Sequence, residues 1–116
     1  MAYDDFSDSS PILLQENSAA NSYRFKFEAA TTAAGKGSIP FSTTINSVIV
    51  SGYAEDGTDV SAIMVDSVSL FEDDELVVVK LNYPGDIGRY KLRFLLTLDD
   101  SSTWEKDFNR IESVAL

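Results

Sequence analysis

Four consecutive carboxylates, Glu72-Asp73-Asp74-Glu75, are the densest cluster of chemistry-bearing side chains in this sequence. Carboxylates in such numbers suggest Ca²⁺, which takes roughly six to eight oxygen ligands. Calcium loops, however, separate their ligands with intervening residues and a glycine turn, and neighbouring side chains on an extended chain point apart. The run therefore reads as a solvated hairpin turn. Glu55-Asp56-Gly57-Thr58-Asp59 lacks the distal bidentate Glu of a calcium loop, and its Asp-Gly pair reads as a turn. Gly35-Lys36-Gly37-Ser38 has part of the composition of a phosphate loop without its full spacing or a following helix, which makes it a flexible loop tip. Glycoside hydrolysis needs two carboxylates across a cleft, and nothing in the sequence sets such a facing pair. No catalytic, cofactor-binding or metal-ligating residue is assigned, and no cofactor is expected.

Composition points the same way. The chain has 116 residues, no cysteine and no histidine. That removes disulfides, thiolate nucleophiles and the usual zinc site, together with the commonest general base and transition-metal ligand. The serines have no imidazole to activate them. Nineteen acidic residues against nine basic ones give a net charge of −10, which repels phosphate backbones and anionic lipid. Neither nucleic acid nor membrane is an expected partner. Met1-Ala2-Tyr3-Asp4-Asp5-Phe6 lacks the basic start and apolar run of a signal peptide. Synthesis as a soluble cytosolic product is the expectation.

The elements that would carry any site are strands. In Arg89-Tyr90-Lys91-Leu92-Arg93-Phe94-Leu95-Leu96-Thr97-Leu98, the residues Tyr90, Leu92, Phe94, Leu96 and Leu98 fall on one side. Lys91, Arg93 and Thr97 fall on the other, with Leu95 as the exception. Period-two alternation is the mark of a strand with one face in a core and one in water. Leu76 to Tyr83 precedes it across a Pro84-Gly85 turn. Asp86-x-Gly88-x-Tyr90-x-Leu92 has the spacing of a tyrosine corner, in which the phenol bonds backbone just upstream and fixes the entry of the strand; Leu92 takes the place of the core cysteine. Tyr90 and Trp104 read as core residues, Trp104 also as an edge cap.

The remaining expectations run along the chain. Residues 1 to 11 form a polar, acidic arm whose Tyr3 and Phe6 could dock on a neighbouring subunit. Ile12 to Gln15 is a short strand, and Tyr23 to Glu28 alternates with Tyr23, Phe25 and Phe27 inward. Ala29 to Ser38 is an exposed loop carrying Lys36. Thr44 to Gly52 is a strand, Tyr53 to Asp59 a turn, and Val60 to Val65 fits either a short strand or one helical turn. Val68 to Phe71 and Thr103 to Val114 are further strands, joined to the others by the turns at 72–75 and 99–102. Seven or eight short strands at regular spacing predict an all-β, immunoglobulin-like antiparallel sandwich over 12–116, with the arm at 1–11.

From Thr44 to Val114 the pattern resembles small immunoglobulin-like virion proteins of tailed bacteriophages. The resemblance is carried by Ile45-x-Ser47-x-Ile49, by Asp56-Gly57-Thr58-Asp59-Val60-Ser61 and by Val77-x-Val79-x-Leu81. Pro84-Gly85-x-x-Gly88-x-Tyr90-x-Leu92-x-Phe94, Thr97-x-Asp99-Asp100 and Ile111-x-x-Val114 complete it. One departure is Asp99-Asp100-Ser101-Ser102, where a glycine is usual. The resemblance implies a non-enzymatic scaffold located in the virion, either a fibre-attachment adaptor at the neck or tail or a capsid decoration protein. It would be oligomeric in the particle, with portal or neck, tail-fibre or major capsid proteins as partners. Tyr3, Phe6 and Lys36 are its candidate contacts. The alternative is a free-standing carbohydrate-binding sandwich presenting Tyr53 and Tyr83.

Overall fold

Alternating apolar side chains become two stacked layers. In the computed structural model, residues 12–16, 20–27, 39–40, 42–71 and 76–115 are described. In chain order the elements are β1 (Ile12–Gln15), β2 (Asn21–Lys26), β3 (Ile45–Ala54), α1 (Ser61–Met64), β4 (Val65–Phe71), β5 (Leu76–Leu81), β6 (Gly88–Leu98) and β7 (Thr103–Val114). One sheet has the order β1-β7-β6-β3 and the other β2-β5-β4. The arm at 1–11, with Tyr3 and Phe6, lies outside the described residues, as do Lys36 and the Glu72–Glu75 turn.

The two sheets meet through aromatic rings. Phe25, on β2, packs against Phe94 of β6 with ring centroids 4.8 Å apart, and against Phe108 of β7 at 5.3 Å. Phe27 meets Phe94 at 5.4 Å. Tilted and edge-on rings at such distances bring edge hydrogens onto π-faces and add to area burial. Tyr90, Leu92, Phe94, Leu96 and Leu98 are all buried, and Leu95 turns outward with Lys91, Arg93 and Thr97. The pattern expected for this strand is therefore the observed one.

Two connections differ from expectation, and a third settles a choice that the sequence left open. β3 runs on through Tyr53 and Ala54, paired with Lys91 and Tyr90, so Tyr53 is a strand residue and not part of the turn. Val60–Val65 resolves as the single turn α1, which plugs one end of the sandwich with the fully buried Met64. It packs on Gly52, where an added Cβ would require the Met64 Cε methyl to shift. β1 pairs parallel with β7, Ile12 opposite Ile111, although the two strands lie at opposite ends of the sequence.

The corner at the start of β6 is formed as its spacing predicts. The Tyr90 hydroxyl donates to the Asp86 carbonyl oxygen at 2.8 Å. Gly85 (φ 103°) and Gly88 (φ 146°) supply backbone angles that residues with a Cβ rarely adopt. Leu92, in the place of the usual cysteine, is fully buried.

Of the two readings of Trp104, the structure departs from the core one and agrees with the edge cap. Its register partner Leu96 is buried, so Trp104 holds an inward position, yet it is 39% exposed. It stands at the start of β7, and the next inward residue is Lys106 instead of an apolar side chain. The Lys106 ammonium lies 5.7 Å from the indole centroid, and the indole N–H donates to Ser102 Oγ at 3.3 Å. The ring is anchored by polar neighbours at the rim of the sandwich, not enclosed in the core.

Candidate interaction surfaces

The outer face of the four-stranded sheet carries an ion-pair network built on alternation. Arg89, Lys91 and Arg93 face outward on β6, and Glu105, Asp107 and Glu112 face outward on its hairpin partner β7. Arg93 Nε donates to Asp107 Oδ1 at 3.1 Å and its Nη2 to Oδ2 at 3.4 Å. Arg93 Nε also lies 3.3 Å from Glu105 Oε1, and Lys91 Nζ lies 3.6 Å from Asp107 Oδ2. The hydrogen bond and charge of Asp107, aided by Glu105, hold the Arg93 guanidinium above its ordinary pKa. On the β3 side, the Tyr53 ring centroid is 5.3 Å from Arg93 Cζ and 5.9 Å from Lys91 Nζ, within cation–π range. Beyond the network, Ile49 and Leu95 sit opposite each other across β3 and β6, 62% and 38% exposed.

The outer face of the three-stranded sheet differs in charge. Three rows cross it: Ser22, Lys80 and Ser67; Arg24, Val78 and Ser69; Lys26, Leu76 and Phe71. Arg24, Lys26 and Lys80 share this face with the half-buried Val78, Leu76 is buried, and Phe71 is 53% exposed. Asp66 Oδ2 lies 3.9 Å from Lys80 Nζ.

A third surface is the end of the sandwich that holds α1 and the 82–87 loop. Its acids are largely spent on turn geometry. Asp56 Oδ1 accepts from the Thr58 N–H at 3.0 Å, and Asp59 Oδ1 accepts from the Ser61 N–H at 2.9 Å and from Ser61 Oγ at 2.6 Å. Ser61 Oγ in turn accepts from the Gly52 N–H at 2.9 Å, tying α1 to β3. Bonds from Thr58 lower the Asp56 pKa, and bonds from Ser61 lower that of Asp59. Glu55, Asp56, Asp86 and Ile87 border one open depression of about 380 Å³. A neighbouring one of about 330 Å³ lies between Glu55, Arg89, Lys91 and Asn109. Ile63 and Ile87 stand out of this end, 56% and 62% exposed.

Among the described residues, no three carboxylates converge at metal-binding distance. Asp86, Gly88, Tyr90 and Leu92 come together at the corner, whereas Trp104 lies on the last strand, beside the 99–102 turn. Sequence reasoning missed the network of Tyr53, Arg93 and Asp107. Its signal was legible in the opposite charges at alternate positions on two consecutive strands. No family model matches the chain, and no curated protein matches it.

Proposed function

We propose that this chain is a non-enzymatic structural protein of a tailed-bacteriophage particle, an adaptor at the neck or tail where fibres attach, or a decoration protein on the capsid. The observation that carries the reading is the Tyr90–Asp86 corner within this strand order. β7-β6-β3 facing β2-β5-β4 corresponds to the G-F-C and B-E-D sheets of an immunoglobulin sandwich, and β1 adds a first strand beside G. That correspondence supports an immunoglobulin-like domain, the fold of the proteins that the sequence resembles.

Such a domain acts by holding. Many copies related by symmetry each contribute a modest contact, and the contacts add because every further one forms at high effective concentration. A glycan-binding module is the weaker reading. It would need an open aromatic platform, and the Tyr53 ring lies beside Lys91 and Arg93, half-buried.

The test is to purify particles of the phage that encodes the chain, identify their proteins by mass spectrometry and image them by cryo-electron microscopy. Expected is the chain in the particle, with two-sheet density repeated by symmetry at the head or the neck–tail region. Particles that lack the polypeptide would overturn the proposal.

A further inference from the structure

We infer that the free edge of β3 pairs antiparallel with the same edge of a second copy of this chain, about a twofold axis at Ile49, joining the two four-stranded sheets into a continuous one. The inference goes beyond the particle reading and does not require it.

β3 ends its sheet, with β6 on one side and no described strand on the other. In an antiparallel ladder the N–H and C=O of one residue point to one side, and those of the next residue to the other. At Gly52 the outer side is marked. Its N–H donates to Ser61 Oγ at 2.9 Å and its carbonyl oxygen accepts from the Val60 N–H at 2.9 Å, both away from β6. Val50 and Val48, two and four residues earlier on an unbroken register, aim their backbone groups the same way. Among the described residues, no bond reaches those groups from that side. Unpaired donors and acceptors along an edge strand are a template for another strand.

The sequence at this edge selects the occupant. Ser47-Val48-Ile49-Val50-Ser51 reads the same in both directions. Paired antiparallel with itself about Ile49, each residue meets its like. Val48 lies opposite the second copy's Val50, and each such pair exchanges its N–H···O bonds both ways, which satisfies every free group of the stretch. Ile49 lies opposite the second copy's Ile49 in a non-hydrogen-bonded pair, where side chains approach most closely. Ser47 lies opposite the second copy's Ser51. Ile49 is 62% exposed and its neighbour on β6, Leu95, is 38% exposed. The pairing sets both residues and their copies in one apolar row, which removes part of that surface from water.

No charge opposes the contact. From Phe41 to Ala54 the chain has neither a charged residue nor a proline, the usual guards of an edge. The register is also bounded. Gly52 is capped by Val60 and Ser61 at one end, and a bulge between Ile45 and Ser47 interrupts the strand at the other. That leaves 47–51 to pair. Such a stretch is far shorter than the roughly 20–30 residues a side of a standard interface, so the dimer is weak and its population depends on concentration.

Single cysteines test this in a chain that has none. Ser47→Cys, Ile49→Cys and Ser51→Cys are made in the full chain, all on the outward side of β3, where substitution spares the core. Each is equilibrated at one concentration in a glutathione redox buffer, and the disulfide-linked dimer is measured by non-reducing electrophoresis and mass spectrometry. At position 49 the paired Cα atoms would lie about 4.5 Å apart, within disulfide reach. Two copies of position 47, or of position 51, are four residues out of register, roughly 13 Å apart and beyond that reach. Expected is about tenfold more dimer from Ile49→Cys than from either serine variant alone. An equimolar mixture of Ser47→Cys and Ser51→Cys is expected to form the mixed dimer well above the statistical share. Both preferences are expected to vanish in denaturant. Equal yields from the three single variants overturn the inference. So does a mixture whose cross-links follow chance, or a preference for position 49 that survives unfolding.

Discussion

The hydroxyl of Tyr90 donates to the carbonyl oxygen of Asp86, 2.8 Å away and four residues upstream. This bond closes the corner between the sheets. It holds the entry of β6, the strand on which both the core row and the outward cation row depend. Tyr90→Phe keeps the buried ring and deletes the bond. A loss of about 0.5–1.5 kcal/mol in unfolding free energy is expected by denaturant titration, with the slope unchanged. Burial, with smaller contributions from the Asp86, Tyr83 and Asp56 charges, raises the Tyr90 pKa. Folding therefore favours the neutral phenol. Stability from this group is full below the ordinary tyrosine pKa and is lost as pH climbs through the raised value. In a base titration followed by phenolate absorbance, the wild type should ionise one tyrosine late, and Tyr90→Phe should lack that step.

Ser101 occupies a left-handed backbone position, φ 71°, in the β6–β7 turn. Asp100 Oδ1 braces the turn by accepting from the Ser102 N–H at 2.9 Å. A Cβ in this region costs on the order of 1–2 kcal/mol, part of which glycine returns through its greater freedom when unfolded. Ser101→Gly should raise stability by about 0.5–1 kcal/mol, read as an increase of roughly 2–5 °C in the melting midpoint. An unchanged or lower midpoint would count against the strain.

Ser113 is 3% exposed, faces inward between Gly88 and Leu14, and its Oγ has no hydrogen-bond partner. Burying a hydroxyl in that way costs about 1–3 kcal/mol. Ser113→Ala should therefore be neutral or stabilising by up to about 1 kcal/mol in chemical denaturation, against the usual direction for a buried substitution. A clear destabilisation would mean that the hydroxyl has a bond in solution.

Asp56, Asp59 and Asp100 each accept bonds from the residue two positions on, and each pKa is lowered as a result. A depressed carboxylate contributes stability above its unfolded pKa and loses it as pH falls through the folded value. Acid should therefore loosen these turns below the ordinary aspartate range. Carboxyl-carbon NMR should show all three titrating below the ordinary aspartate value, and Ser61→Ala should return Asp59 towards it.

Much of the fold was legible in local pattern. β1 and β7 have the predicted bounds, β6 differs by one residue, and Phe25, Phe27 and the β6 row are buried as alternation requires. The corner spacing anticipated its hydrogen bond because the interaction spans only four residues. The end of β3 was misplaced because Tyr53-Ala54 before an Asp-Gly turn looks like part of that turn. Pairing with Lys91 and Tyr90, far along the chain, extends the strand.

Period-two spacing determined by itself which side of each strand a residue takes, since successive side chains of an extended chain must point apart. By the same rule Trp104 shares the side of Phe108, four residues on. Whether that side is covered depends on what lies across from it, and at the start of β7 the ring remains 39% exposed. Only the tertiary structure decided that β1 lies parallel beside β7, that Arg93 meets Asp107, and that the cations of β2 and β5 share one face. Those relationships join segments distant in sequence. They are selected by the packing of whole sheets, which no local run of residues encodes.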